Sequence, residues 1–242
     1  MTSSTPLNDM DSPHAQHVRT TELSWEHSPR RGVWRKRLFH RGGVENGIVA
    51  SLVRFDPSAS FQEHDHPKGE EILVLPSVFS DHTGDHQPGT HLLNPEGFSH
   101  APFSQSGCLL FVRLLQHEGR SQVTSVRKDH GTEPGFVRTM LGYDQSCHRE
   151  LLTGTLRGDC PVSLGHGVAD DAAVYSHRID CFVVDGSFSL DDHVMGTQDW
   201  LSFHQTSDGS IDLSLSGSGR LYVSAQRCTS LEGDASLRLG DT

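Results

Sequence analysis

The sequence predicts an all-β chain built as two successive β-barrel lobes, and three observations predict it. Short apolar runs alternate with turn clusters, helped by 24 Gly and 11 Pro in 242 residues. Between residues 30 and 120 no stretch sustains a 3.6-residue apolar period, whereas many runs show the period of two that lines one face of a strand. A strand–turn–strand pattern also recurs. VLPSVFSD at 74–81 matches VVDGSFSL at 183–190, and DHQPGT at 85–90 matches DHVMGT at 192–197 with two residues fewer between. Such internal similarity reads as a duplicated β domain.

Taken in order, residues 1–22 lack apolar content and regular pattern, and read as a disordered tail. The opening MTSSTPLNDMDSPHAQ has neither the basic nor the apolar region of a signal peptide. GVWRKRLF and GIVASLVRF follow as two strands, joined by the Gly-rich hairpin signal HRGGVEN. SFQEHDH, EEILVLPSVFSD, GTHLLN and GCLLFVRLLQ complete a first lobe over 23–120. The polar, Gly- and Pro-bearing RKDHGTEPGF places a linker at 121–137. VSLGHGV, AAVYSH, DCFVVDGSFSL, DWLSF, IDLSLS and RLYVSA then supply a second lobe over 138–228, before a tail at 229–242.

Composition excludes several classes. No run approaches eighteen apolar residues, so no membrane span is expected. A formal charge of −11 argues against general affinity for nucleic acid or anionic lipid. The basic run RRGVWRKR, with Arg30, Arg31, Arg35, Lys36 and Arg37, reads as edge-strand protection, with contact to an acidic partner as the alternative. The same strand is a candidate for edge pairing in a homodimer. The five cysteines, Cys108, Cys147, Cys160, Cys181 and Cys228, are odd in number and form no CxxC pair. That fits a reducing cytoplasm and offers no redox or zinc-finger motif.

The chemistry concentrates in FQEHDHPKGEE, residues 61–71. His64 and His66 lie two apart on a strand and so share a face. Pro67, Lys68 and Gly69 make a turn, and Glu70 or Glu71 returns a carboxylate toward the imidazoles. Alternation along the next strand allows only one of the two to face the imidazoles, and Glu71 competes with Glu70 for that place. A third imidazole, His100, follows the turn signal of NPEGFSHAP at the start of another strand. Neutral imidazoles with one carboxylate suit Fe(II), Mn, Ni or Zn better than Ca or Mg, whose shells are oxygen-rich.

The series from His64 through Glu70, with PEGFSH after it, resembles the two sequence motifs of the cupins. HDHPKGEEILVL, SDHTGDHQPGTHLLNPEGFSHAP and GCLLFVRL resemble the ChrR-type cupins in particular. The likeness covers about residues 25–116 and is weak beyond. It implies an RmlC-like jelly-roll fold and one divalent metal ion per chain in the first lobe, held by His64, His66, Glu70 and His100. The glycine that closes the first motif is replaced here by Ser77. Aligning Ser77 with Gly186 puts Ala173, Tyr175 and Ile179 where His64, His66 and Glu70 stand, so the second lobe is expected to bind no metal despite His177, Asp180 and His204. His82, His86 and His91 read as ordinary loop and strand-start groups. Arg54, Phe61 and Arg113 are candidates to line the pocket, with a structural role as the alternative for each.

The resemblance implies three functions. One is an iron-dependent dioxygenase acting on a small chelating diketone-like or hydroxyketone substrate. Another is a ChrR-like anti-sigma regulator, although no HxxxCxxC sigma-binding motif occurs in the sequence. The third is a non-catalytic cupin stabilised by zinc. Fold alone does not choose among them.

Overall fold

The computed structural model describes residues 15–42, 47–114, 123–126, 136–143, 147–163, 175–207 and 210–228. Its first strands are β1 (Gln16–Val18), β2 (Glu26–His27), β3 (Val33–Arg41), β4 (Ile48–Phe55), β5 (Ala59–Ser60), β6 (His64–His66) and β7 (Glu70–Val74). There follow β8 (Phe79–Asp81), β9 (Gly84–His86), β10 (Thr90–Asn94), β11 (Phe98–His100), β12 (Phe103–Ser104), β13 (Cys108–Leu114) and β14 (Val123–Val126). The second half holds β15 (Phe136–Tyr143), β16 (Cys147–Ser163), β17 (Tyr175–Leu190), β18 (His193–Met195), β19 (Trp200–Ser207) and β20 (Ser210–Arg227). Among the described residues the one helical segment is a 3-10 turn at Thr20–Glu22. The chain is all-β, in two jelly-roll lobes, as its alternating runs predict.

Two seven-stranded sheets dominate. The first runs β14-β10-β7-β13-β4-β3-β2, and the second β1-β19-β17-β20-β16-β15 with β18 hairpinned onto β17. The first lobe adds two small sheets, β11-β6 and β5-β12-β8-β9.

Strand alternation sorts side chains between compartments. Ile72 and Val74 of β7 enter the first lobe's interior with Phe55, Phe79, Leu110 and Val112. Leu73, on the other face, joins Phe39, Leu52 and Phe111 in a core shared with Phe182, Trp200 and Tyr222 of the second lobe. A third core, including Ile179, Val183, Leu201 and Val223, fills the second lobe. The lobes therefore pack large sheet on large sheet. At the contact the Phe111 and Phe182 rings stack 4.3 Å apart and nearly parallel, a geometry that adds about 1 kcal/mol beyond the area buried.

The same face buries charge. Glu71 Oε2 accepts from Arg113 Nη1 at 2.9 Å and Arg149 Nε at 3.1 Å, while Oε1 accepts from the Tyr222 hydroxyl at 2.6 Å and faces His91 Nε2 at 2.9 Å. Arg113 Nη2 also donates to Asp180 Oδ2 at 2.9 Å, which Arg178 Nε approaches at 3.1 Å. Burial alone would raise the Glu71 carboxyl, but Arg113 and Arg149 hold it well below the ordinary carboxylate range. Each acid here is closed in by cations and donors from both lobes.

The duplication is visible in the backbone. Gly89 N donates to Val74 O, and Gln198 N donates to Val183 O. The β8–β9 hairpin pairs Phe79 with His86, as β17–β18 pairs Phe188 with Met195. One constant offset relates all these positions, so the expected two-residue gap is absent, and Asp85 answers to Val194 rather than Asp192. Hairpin register, not the shared DH and GT letters, fixes the correspondence. Ser77 (φ 70°) and Gly186 (φ 89°) occupy the same left-handed turn position. The serine accepts it at a cost of roughly 1–2 kcal/mol, whereas a Cβ on Gly186 would lie 2.0 Å from Ser218 O.

Two expected boundaries shift. Within the tail expected over 1–22, Gln16–Val18 pairs with Trp200–Ser202 of the second lobe and Thr20 N donates to Asp199 Oδ1. The open edge of β19 takes up this segment although it has no apolar run. Within the expected linker, Val123–Val126 pairs with Thr90–Leu93 and covers the edge of β10. The rest of the linker from 121 to 135, the remainder of the N-terminal tail and the tail at 229–242 lie outside the described residues.

Candidate metal centre

The short ribbon β6–β11 builds the site. Its antiparallel register sets His100 opposite His64 and Phe98 opposite His66. Gly69, at φ 76°, closes the turn after β6 with its N–H on His66 O, and the chain returns as β7 with Glu70 at its head. His64, His66 and His100 each offer a ring nitrogen, all within 4.8 Å of one another, so the three could hold a metal ion. Glu70 Oε2 lies 3.4 Å from His66 Nε2 and 3.5 Å from His100 Nε2.

Partners behind these groups fix their orientation. His64 Nδ1 donates to Gln62 O at 2.9 Å, which leaves Nε2 as the lone-pair nitrogen. His100 Nδ1 donates to Asp81 Oδ2 at 3.0 Å. The other Asp81 oxygen accepts from Thr83 N at 2.8 Å and Thr83 Oγ1 at 2.6 Å, and faces His86 Nε2 at 3.3 Å. Asn94 Nδ2 donates to Glu70 Oε2 at 3.1 Å. A carboxylate behind an imidazole is the usual backing of a metal-ligating histidine.

The electrostatics favour cation uptake. Burial, reinforced by His100 and His64, lowers His66 to about 3, and burial also lowers His64. Both imidazoles therefore stay neutral, and His66 Nε2 lies 3.0 Å from His100 Nε2, a spacing at which one of the two nitrogens carries the shared proton. Burial raises Glu70 to about 7. Despite burial, the bonds from His100 and Thr83 hold Asp81 well below the carboxylate range. The group opens onto a cavity of about 300 Å3 inside the first lobe, with Phe55, Phe61, Phe79 and Val112 among its walls.

All four residues singled out as ligands thus meet at one place. Alternation sends Glu70 to the cavity and Glu71 to the lobe–lobe face. His82 stacks on Phe98, His86 supports Asp81 and His91 bonds Glu71, so none joins the cluster. Of the three pocket candidates Phe61 lines the cavity, while Arg54 lies over the Trp25 and Trp34 rings and Arg113 is buried between the lobes. In the second lobe Ile179 pairs with Phe203 as Glu70 pairs with Asn94, which leaves an alkyl group at the carboxylate position. Ala173 lies outside the described residues. Among those described, His64, His66 and His100 form the one cluster of this kind.

Sequence reasoning missed Asp81, Asn94 and the cavity-facing Arg35 and Arg37. Asp81 had a local signal, since an Asp two residues before Thr favours the side chain-to-backbone turn seen here. The others depend on register between distant strands.

The family model of the ChrR cupin-like domain matches residues 13–118. No curated protein matches the chain by sequence. Among solved structures it is similar to a bacterial pirin from Escherichia coli in complex with nickel(II), at 14% identity and TM-score 0.59, covering 89% of this chain and 100% of that one. Protein Ylba from E. coli matches at 11% identity and TM-score 0.60, covering 89% and 91%. A dioxygenase-type protein from Nostoc punctiforme matches at 11% identity and TM-score 0.58, covering 89% and 83%. At these identities the likeness is one of fold.

Proposed function

We propose that this chain is a cupin, its first lobe matching the ChrR cupin-like family model, and that it binds one divalent metal ion in that lobe and acts as an Fe(II)-dependent, dioxygenase-type enzyme on a small chelating substrate. The observation that supports this most is convergence onto open space. Three oriented imidazoles and a carboxyl meet at the wall of a cavity of about 300 Å3, whereas a purely structural ion is usually enclosed by its ligands. His64, His66 and His100 would hold the ion, with Glu70 as the anionic donor, and such a nitrogen–oxygen set suits Fe(II), Mn, Ni or Zn. When bound, iron would supply Lewis acidity toward a chelating substrate and the redox capacity that O2 chemistry requires.

The chain's own residues perform the rest. His66 and His64 arrive neutral, so no proton need leave them. Asp81 holds the His100 proton on Nδ1 and keeps Nε2 toward the cavity. Glu70 carries the proton that metal uptake displaces below about pH 7. Phe55, Phe61 and Phe79 wall the space and limit the water around a bound substrate.

The test is anaerobic reconstitution with Fe(II) or Zn(II), followed by metal per chain and O2 uptake against a panel of diketones and hydroxyketones. The expected result is one metal per chain and substrate-dependent O2 uptake with iron, both abolished in His66→Ala. Stoichiometric metal binding with no O2 uptake across the panel would favour the zinc-stabilised binding cupin instead.

A further inference from the structure

The basic strand β3 does more than guard an edge. Arg35 and Arg37, two apart, face the first-lobe cavity, opposite Val53 and Ser51 of β4 in register. The same cavity holds His64, His66, His100 and Glu70. Other buried guanidiniums of the chain have carboxylates, as Arg113 has Glu71 and Asp180, Arg149 has Glu71 and Arg178 has Asp180. Among the described residues neither Arg35 nor Arg37 makes an ion pair of this kind, although Glu26 lies cross-strand from Arg35 on β2. Arg35 donates to Ser28 Oγ at 3.2 Å, and its Nε is buried without a partner. Burial, and then the charge of Arg37, lower Arg35 from the ordinary arginine range, and the cross-strand Glu26 offsets this only in part. Two like charges held together beside apolar walls are costly unless an anion joins them.

We propose that Arg35 and Arg37 form a carboxylate-binding subsite in the metal cavity, so that the ligand is a small acid with a chelating head at the imidazoles and a second carboxylate at the guanidiniums. This rests on the metal-site reading above and narrows its substrate class. The planar fork of Arg binds carboxylate through paired charge-assisted hydrogen bonds, and two forks on one strand face present several donors to one group. A cavity of about 300 Å3 is at the small end of ligand sites, which suits a short dicarboxylate.

The test uses the full chain loaded with redox-inert Ni(II), titrated calorimetrically with 2-oxoglutarate and with 2-oxopentanoate. The probes share a chelating head and differ in the distal carboxylate. Wild type should bind 2-oxoglutarate about 10–100-fold more tightly, the worth of one or two charged hydrogen bonds. Arg35→Met and Arg37→Met should each shrink that ratio, and together erase it, with nickel per chain and 2-oxopentanoate affinity unchanged. If a Met variant fails to fold, Arg37→Lys keeps the charge without the fork and should give an intermediate ratio. Equal affinity of wild type for both probes, or a preference that survives the double variant, overturns the subsite. Glutarate titrated into chelator-treated protein separates the two readings. Arginine-dependent glutarate binding in a chain that takes up no nickel would sink the metal reading and leave the subsite standing. Nickel binding without a dicarboxylate preference would do the reverse.

Discussion

Glu70 and Glu71 are chemically identical neighbours with opposite surroundings, and exchanging each for glutamine tests that contrast. Glu71 is 1% exposed and accepts from Arg113, Arg149 and Tyr222, with His91 beside it. Glu71→Gln keeps the shape but presents an amide N–H2 to a donor and leaves Arg113 and Arg149 short of one negative charge. Removing one partner of a buried ion pair typically costs about 3–5 kcal/mol. For a chain of this size each kcal/mol lowers Tm by about 2–4 °C, so the melt should fall by roughly 6–20 °C. Because Glu71 is held below its unfolded range, its stabilisation is present above about pH 4.5 and lost as pH falls. The gap between wild type and variant should therefore narrow on acidification. Metal per chain, measured by elemental analysis on folded protein, should stay at wild-type level. Glu70→Gln should do the opposite, weakening metal retention while leaving the chelator-treated melt as high as wild type or higher. A Glu71→Gln melt within 2 °C of wild type, or loss of metal from a folded Glu71→Gln protein, would refute the assignment of the two faces.

Three further outcomes are expected. His64→Ala, His66→Ala and His100→Ala should each abolish stoichiometric metal, while Asp81→Asn should weaken affinity about 10–100-fold by loosening His100, as read by competition with a chromophoric chelator. Metal affinity should fall about tenfold per pH unit below about pH 7, because Glu70 is protonated there in the metal-free fold; an unchanged slope in Glu70→Gln would assign the proton elsewhere. A chain starting at Leu23 should melt lower than wild type, since it lacks the pairing of Gln16–Val18 with Trp200–Ser202 and the Thr20–Asp199 bond; equal melts would show that this pairing contributes nothing.

What the sequence disclosed followed sequence distance. His64, His66 and Glu70 were legible because a strand's period of two and a tight turn fix their relative directions locally, and the same alternation separated Glu70 from Glu71. His100 was legible from its turn signal and its likeness to a known motif. The charged layer between the lobes was not, because Glu71 meets Arg113, Arg149 and Tyr222 only once both sheets are assembled. For the same reason the sequence left Arg113 open between a pocket and a structural role, and left Arg35 and Arg37 between edge protection and contact with an acidic partner. β1 carried no apolar run to announce it and exists because β19 offers an unpaired edge. The false gap in the repeat arose because short letter matches outweighed the hairpin geometry that sets true equivalence.

The crossing of β1 onto the second lobe constrains the order in which the molecule can be completed. During synthesis Gln16–Val18 emerges early, yet its partner Trp200–Ser202 is translated more than 180 residues later, roughly ten to forty seconds at ordinary elongation rates. Throughout that interval Glu71 also lacks Arg149 and Tyr222. The first lobe thus waits on the ribosome with an unpaired segment and with Glu71 held by Arg113 and His91 alone, its remaining partners still to come from its sibling. Once formed, the two halves should unfold as one cooperative unit, and severing the chain between them should leave neither fragment soluble alone.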